Sequence, residues 1–212
     1  MASAKAAKET KALAEYRRKR DFAKTGEPKG DRSGTARDRP CFVVQIHDAS
    51  TLHFDFRLEA DGVLKSWSVP KGPSDDPHDK RLAVSTEDHP LAYRDFEGII
   101  AEGEYGAGTV IIWDEGTYRN LTTDRHGKEV GLVDALEKGH ASFRLDGSKL
   151  HGGYALTRIQ TGQGRDRAAW LLVKHDDRRA SSHGTPDPRR ARSVRSGRTL
   201  HQLAADAPGG GT

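Results

Sequence analysis

The sequence predicts a mainly β fold, an antiparallel barrel or sandwich with a few short helices, on three observations. From Phe42 onward apolar residues recur with period two, the spacing that sends successive side chains to opposite faces of a strand. The segments with this pattern are short, and turn residues separate them, among them Gly72-Pro73 and the run Gly103 to Gly108. Helical spacing appears in only two places, near the N-terminus and at 131–138.

The elements follow in chain order. Residues 4–20 are rich in Ala, Lys, Glu and Arg, Ser3 can cap them, and Leu13 and Tyr16 share a face. A helix is expected there, docked by a narrow strip. Residues 24–40 hold Gly26, Pro28, Gly30, Gly34 and Pro40 among charges and read as loop. Strands are expected at 42–47, 52–58, 63–69, 81–86, 109–113, 116–120, 141–146, 153–159 and 169–174. Asp48-Ala49-Ser50-Thr51 has a turn composition, so the first two strands form a hairpin. Trp67, Trp113 and Trp170 lie in strands and are candidate core. The helix at 131–138 ends at Gly139, a residue suited to a left-handed cap. Residues 176–212, with Pro186, Pro188, repeated Arg and Ser and a Gly209-Gly210-Gly211 end, show no periodicity and are expected to be disordered. The chain thus divides into a basic helix and loop (1–40), a β domain (41–175) and a basic tail (176–212).

Composition bounds the function. A chain of 212 residues holds one domain with tails, and 34% hydrophobic against 31% charged residues implies a small core. No apolar run approaches a membrane span, and no apolar block follows Lys5, Lys8 and Lys11 as a signal peptide requires. The single cysteine, Cys41, excludes an intrachain disulfide and a zinc-finger framework; a reducing cytoplasm is the simplest compartment. The net charge of +4 conceals a gradient: +6 over residues 1–40, −6 over 41–173 and +4 over 174–212. Basic arms suit a polyanion such as nucleic acid, or simply keep the chain soluble. An acidic body that handles a phosphate needs a metal ion or a few placed arginines.

The hairpin supplies candidates for both. Alternation sends Leu52, Phe54, Phe56 and Leu58 one way and His53, Asp55 and Arg57 the other; on the preceding strand Gln45 and His47 share a face. His47 and His53 flank the turn on neighbouring strands, so two imidazoles and a carboxylate converge. That donor set suits a borderline divalent metal such as Mn, Fe or Zn and leaves coordination positions open. An ordinary wet sheet face with a His–Asp pair is the plainer alternative. Arg57 beside a metal would clamp a phosphoryl oxygen, with Lys71 and Arg81 as possible additions or as surface salt bridges. His89, extended because Pro90 follows, is an acid, a donor to phosphate, or a loop histidine. Tyr93 offers a hydroxyl or packs. Gly103 to Gly108 has no Lys-Ser/Thr and no helix after it, so it reads as a hairpin turn rather than a phosphate loop.

The run Gln45-Ile-His47-Asp-Ala-Ser-Thr-Leu-His53-Phe-Asp55-Phe-Arg57-Leu-Glu resembles the signature of the 3′-phosphoesterase domain of bacterial DNA ligase D. The resemblance continues through Trp67-Ser-Val-Pro-Lys71-Gly-Pro-Ser, Arg81-Leu-Ala-Val, Glu87-Asp-His89-Pro-Leu-Ala-Tyr93, and Phe96-Glu-Gly to Tyr105-Gly-Ala-Gly. It reaches back to Tyr16-Arg-Arg-Lys-Arg20-Asp21-Phe with Glu27-Pro28, and ends near Trp170-Leu-Leu-Val-Lys174. It implies a β-barrel flanked by short helices. It implies manganese-dependent trimming of DNA 3′ ends, in which a terminal ribonucleoside is removed and the remaining 3′-phosphate is hydrolysed to a hydroxyl. The family's metal ligands fall on His47, His53 and Asp55, its phosphate arginine on Arg57, its essential histidine on His89 and its active-site tyrosine on Tyr93. Lys71 and Arg81 match basic residues of that site, Arg20, Asp21 and Glu27 match residues of the diesterase step, and Gln45 matches a supporting polar residue. The implied partners are DNA or DNA–RNA 3′ ends and a separate ligase or end-binding repair protein, with no membrane. In ligase D the module is fused to ligase and polymerase domains, and 212 residues suggest a free-standing member. The competing expectations are a non-catalytic end-binding module and a non-haem iron oxygenase.

Overall fold

The computed structural model describes residues 11–30, 39–160, 167–182 and 184–205. Ten strands follow along the chain: β1 (Cys41–Asp48), β2 (Leu52–Ala60), β3 (Val63–Val69), β4 (Arg81–Ser85), β5 (His89–Pro90), β6 (Gly98–Ile100), β7 (Gly108–Asn120), β8 (His140–Gly147), β9 (His151–Gln160) and β10 (Ala169–Lys174). The helices among the described residues are short: α1 (Ala14–Arg18), α2 (Leu132–Lys138), α3 (Leu200–Ala205), and a 3-10 turn at Leu91–Asp95. None is long and apolar enough to cross a membrane.

Eight strands close an antiparallel barrel in the order β1-β2-β3-β4-β10-β9-β8-β7, with β7 returning to β1. Closure leaves no open edge along the ring. The interior takes the apolar face of each strand. Phe54, Phe56, Trp67, Trp113, Phe143, Tyr154 and Trp170 meet there, with the Phe54 ring edge-on to Trp113 at 5.4 Å and Trp67 edge-on to Trp170 at 6.1 Å. Each such side chain contributes about 1.5–3 kcal/mol by leaving water. All three tryptophans are core, as their strand positions predicted.

The outer face of β1 is also buried. Val43 joins Tyr16 of α1, Leu64, Tyr93, Phe96, Ile100 and Ile112 in a second apolar layer outside the barrel. β5 pairs with β3 (Leu64↔His89) and β6 with β7, so the segment from Glu87 to Ile100 lies over the outside of β1–β3. Between this layer and the barrel wall sit the polar residues of the hairpin. The narrow strip of the N-terminal helix is real: Leu13 and Tyr16 are buried, and the Tyr16 hydroxyl donates to the Pro28 carbonyl at 2.7 Å. The part of that helix expected before Lys11, with its Ser3 cap, lies outside the described residues. α2 ends on Gly139 at φ +89°, the expected left-handed cap.

Three expectations need correction. Strands 109–113 and 116–120 are one strand, β7. Asp114 and Glu115 interrupt the apolar run, but Asp114 is fully buried and accepts N–H groups of Ser148, Lys149 and Leu150 at 2.8–2.9 Å, so the strand carries a carboxylate without a break. β5 and β6 are too short to show a period. The described part of 176–212 is not a free tail. Ala191 and Leu200 reach the barrel core, Val194 N–H donates to the Ile112 carbonyl at 2.9 Å, and Arg195 bonds Glu115 and Asp95. A few apolar residues spaced by charges suffice to anchor a segment that shows no periodicity. Residues 206–212 lie outside the description.

Candidate metal centre and phosphate pocket

The β1–β2 register places His47 directly opposite His53 and Gln45 opposite Asp55. Nitrogen or oxygen atoms of His47, His53 and Asp55 all lie within 4.8 Å of one another. Backbone carbonyls set both imidazoles. His47 Nε2 is 2.8 Å from the Gly106 carbonyl and His53 Nδ1 is 2.7 Å from the Thr51 carbonyl. A carbonyl only accepts, so each of those nitrogens carries a proton. The other ring nitrogens, His47 Nδ1 and His53 Nε2, face the two Asp55 oxygens at 3.7 and 3.6 Å. Carbonyl acceptors behind metal-binding imidazoles orient the ring and fix the tautomer in this manner. Two imidazoles and a carboxylate, gathered but not bonded tightly to each other, are a donor set that fits a divalent transition metal. Burial works against the Asp55 charge, yet Arg57 and the two histidines outweigh it and hold the carboxyl well below its usual range. Burial likewise pulls His53 down, but Asp55 and the Thr51 carbonyl leave it raised, so protons compete with a metal there.

Arg57 is the hub of the adjacent wall. It is buried, and its guanidinium donates to Gln45 Oε1, Ser66 Oγ and Asp55 Oδ2, each at 2.9 Å. His89 Nδ1 lies 2.9 Å from Arg57 Nη1 and 2.8 Å from the Glu87 carbonyl. Burial, then the Arg57 and Arg20 cations, hold His89 well below the usual imidazole range, so the ring is neutral. Tyr93 is buried with its ring 4.7 Å from His89 and 4.8 Å from the Arg57 guanidinium. Its hydroxyl is committed to Glu27 Oε1 at 3.0 Å, and burial raises its pKa far above the ordinary value. Arg20 donates to the same Glu27 oxygen at 2.9 Å and to Glu87 at 3.2 Å, while its guanidinium lies 3.8 Å from the Tyr16 ring centroid. The N-terminal segment therefore closes one side of the pocket through Arg20, with Glu27 behind it.

These groups surround a cavity of about 320 Å³ lined by His47, His53, Asp55, Arg57, His89, Tyr93 and Arg20. Three predicted residues stand apart from it. Asp21 is exposed and bonds the Ala23 N–H and Lys24. Lys71 is exposed beyond the end of β3. Arg81 pairs with Asp79 at 2.7 Å. Residues with no assigned role also belong to the pocket or its wall, among them Ser66, Glu87, Tyr105 and Arg167. Glu87 and Tyr105 lie inside quoted motifs, but in irregular segments where no period reports the direction of a side chain. Arg167 has no local signal. Ser66 was findable, since alternation from Trp67 puts it on the polar face.

Residues 45–158 match the family model described as the DNA Ligase D 3′-phosphoesterase domain. The chain is 52% identical over 198 residues to the multifunctional non-homologous end joining protein LigD of Pseudomonas aeruginosa, covering 90% of the chain and 22% of that relative. It is 48% identical over 146 residues to the multifunctional non-homologous end joining DNA repair protein LigD of Mycobacterium tuberculosis, covering 69% of the chain and 18% of the relative. The corresponding Mycolicibacterium smegmatis protein is 42% identical over 167 residues, 79% of the chain and 21% of the relative. The chain thus spans about a fifth of the length of the curated relatives it matches.

Proposed function

The chain belongs to the DNA ligase D 3′-phosphoesterase domain family, and from that premise we propose that it is a metal-dependent phosphoesterase that trims nucleic-acid 3′ ends, removing terminal ribonucleosides and 3′-phosphates to leave a 3′-hydroxyl. The observation that carries this reading is the placement of Arg57: one guanidinium touches the carboxylate of the metal-type trio and lies against His89. A phosphate in the cavity would meet cation, imidazole and metal site together.

Manganese is the metal we assign, held by His47, His53 and Asp55; a divalent ion there would neutralise phosphoryl charge and make a water more acidic. Arg57, held by Gln45 and Ser66, orients the phosphate and stabilises charge that grows on its oxygens. Burial and two guanidiniums disfavour a second proton on His89, so it serves at the phosphate as a neutral imidazole and not as a standing cationic acid. Tyr93 and Glu27 hold Arg20 and Arg57 in place. Recognition of a terminal 2′-hydroxyl, the group that separates RNA from DNA, falls to Glu87, the carboxylate on the cavity wall, since Asp21 faces away. The product, a 3′-hydroxyl, is what a ligation step consumes, and the relatives' names place them in non-homologous end joining. Broken DNA 3′ ends and a ligase are therefore the partners we assign.

The test is a labelled duplex ending in one 3′-ribonucleotide, incubated with and without manganese. Nucleoside loss and phosphate loss then appear as separate products. His53→Ala, which removes one imidazole ligand, should abolish both products while the far-UV circular dichroism stays unchanged. Wild-type turnover by purified His53→Ala protein, or turnover in excess chelator, would overturn the assignment.

A further inference from the structure

Among the described residues four large apolar or aromatic side chains are exposed, Leu82, Ile99, Tyr105 and Ile159, and of these Tyr105 lines the catalytic cavity. It is 44% exposed, on the turn between β6 and β7. That turn is registered to the metal-type site. The Gly106 carbonyl accepts from His47 Nε2 at 2.8 Å, and internal bonds from Glu104 N–H to the Ala101 carbonyl and from Ala107 N–H to the Glu104 carbonyl tighten it. Gly103 and Gly106, at φ +87° and +78°, supply left-handed bends on either side of the ring. An exposed aromatic is therefore held at a fixed offset from a metal ligand.

Cations surround the ring. Arg167 Nη2 donates to the Tyr105 hydroxyl at 2.9 Å, Lys19 Nζ lies 4.8 Å from the ring centroid and the Arg20 guanidinium 5.8 Å. Arg167 is itself partly exposed and reaches to within 3.9 Å of Glu87 on the cavity wall. A cavity of about 320 Å³ is at the small end of ligand sites. It admits the reacting end of a strand and leaves the rest on the rim, where these residues are. An aromatic face among backbone-binding cations is the arrangement that holds single-stranded nucleic acid without reading its sequence, because every base has a π-face.

Building on the phosphoesterase reading, we propose that Tyr105 and Arg167 form the seat for the 3′-terminal segment of the strand: the Tyr105 ring stacks on a base next to the phosphate held at Arg57, and Arg167 neutralises the adjoining backbone. The seat selects for the presence of a base and not for its identity.

The test compares wild type, Tyr105→Ala, Tyr105→Trp and Arg167→Ala on ribonucleotide-ended primers. One set carries each of the four bases near the end and one carries abasic nucleotides at the last two positions. Tyr105→Ala should raise KM about 5- to 150-fold on primers with bases, with a much smaller change in kcat and none of that rise on abasic ends. Tyr105→Trp should restore KM, and Arg167→Ala should raise KM with a shallower salt dependence. A Tyr105→Ala penalty that is absent, or is equal on abasic and normal ends, overturns the seat. If wild type shows no turnover the phosphoesterase reading itself has failed. Anisotropy of the same labelled primers then decides the seat alone: weaker binding by Tyr105→Ala supports it and equal binding overturns it.

Discussion

Gln45 Oε1 accepts a hydrogen bond from Arg57 Nε at 2.9 Å, from the neighbouring strand of the hairpin. The other end of the same amide donates to the Tyr93 and Phe96 carbonyls at 3.2 and 2.8 Å. A side chain with no solvent exposure thereby ties the guanidinium to the 3-10 turn that carries Tyr93. Gln45→Leu would leave buried donors and acceptors on both sides without partners, at a cost of about 1–3 kcal/mol for each group. The urea midpoint should fall with the slope unchanged, and activity should fall with it even at temperatures where the protein remains folded.

Arg57→Lys keeps the charge and loses the fork. A single ammonium cannot reach Gln45, Ser66 and Asp55 together while presenting a planar edge to a phosphate. The expected result is a loss of at least about 100-fold in kcat/KM, the scale for removing one placed donor to developing charge. Manganese affinity, read by calorimetry, should change much less.

Gly108→Ala tests how the β1–β2 hairpin depends on a neighbouring backbone. Gly108 has φ +143°, and a Cβ there would meet the Asp48 carbonyl oxygen at 2.1 Å. The β1–β7 ladder must shift where it holds His47. Destabilisation of at least about 1 kcal/mol is expected, a drop of about 2–4 °C or more in Tm for a chain of this size. Weaker manganese binding should accompany it.

Acid stability should depend on Asp177. Its carboxylate accepts N–H groups of Gly153 and Arg179 at 2.6 and 2.8 Å and pairs with buried Lys174 at 2.7 Å. Burial opposes its charge, but these partners win and bring its pKa to about 2. A carboxyl with a folded pKa below its unfolded value stabilises above about pH 4, and that contribution is lost as pH falls towards 2. Urea midpoints of wild type and Asp177→Asn should differ at pH 7 and converge near pH 2.

The site was legible where a period reported direction. Alternation along 52–58 separates Phe54 and Phe56 from His53, Asp55 and Arg57, and the structure keeps that division. A tight turn at 48–51 then forces His47 opposite His53. Legibility ends at the irregular segments. Asp21, three residues after the last helical residue of α1, turns to solvent while Arg20 turns inward, and nothing in the local sequence distinguishes them. Glu87 and Tyr105 approach the cavity because β5 and β6, of two and three residues, pull their loops onto the barrel. Pairing so brief leaves no mark in hydropathy. Asp114 misled the strand assignment because a buried carboxylate looks like a surface one until its three N–H donors are known.

Arg195 joins Glu115 of β7 to Asp95 at the end of the turn that carries Tyr93. The matched family region stops at residue 158, well short of this clasp. The family model and mechanical support thus draw different boundaries around the same barrel. A shortened version cut after the last strand would retain His47, His53, Asp55, Arg57 and His89 yet lose the brace on their outer layer. Anyone designing a minimal fragment should place the end beyond Ala205.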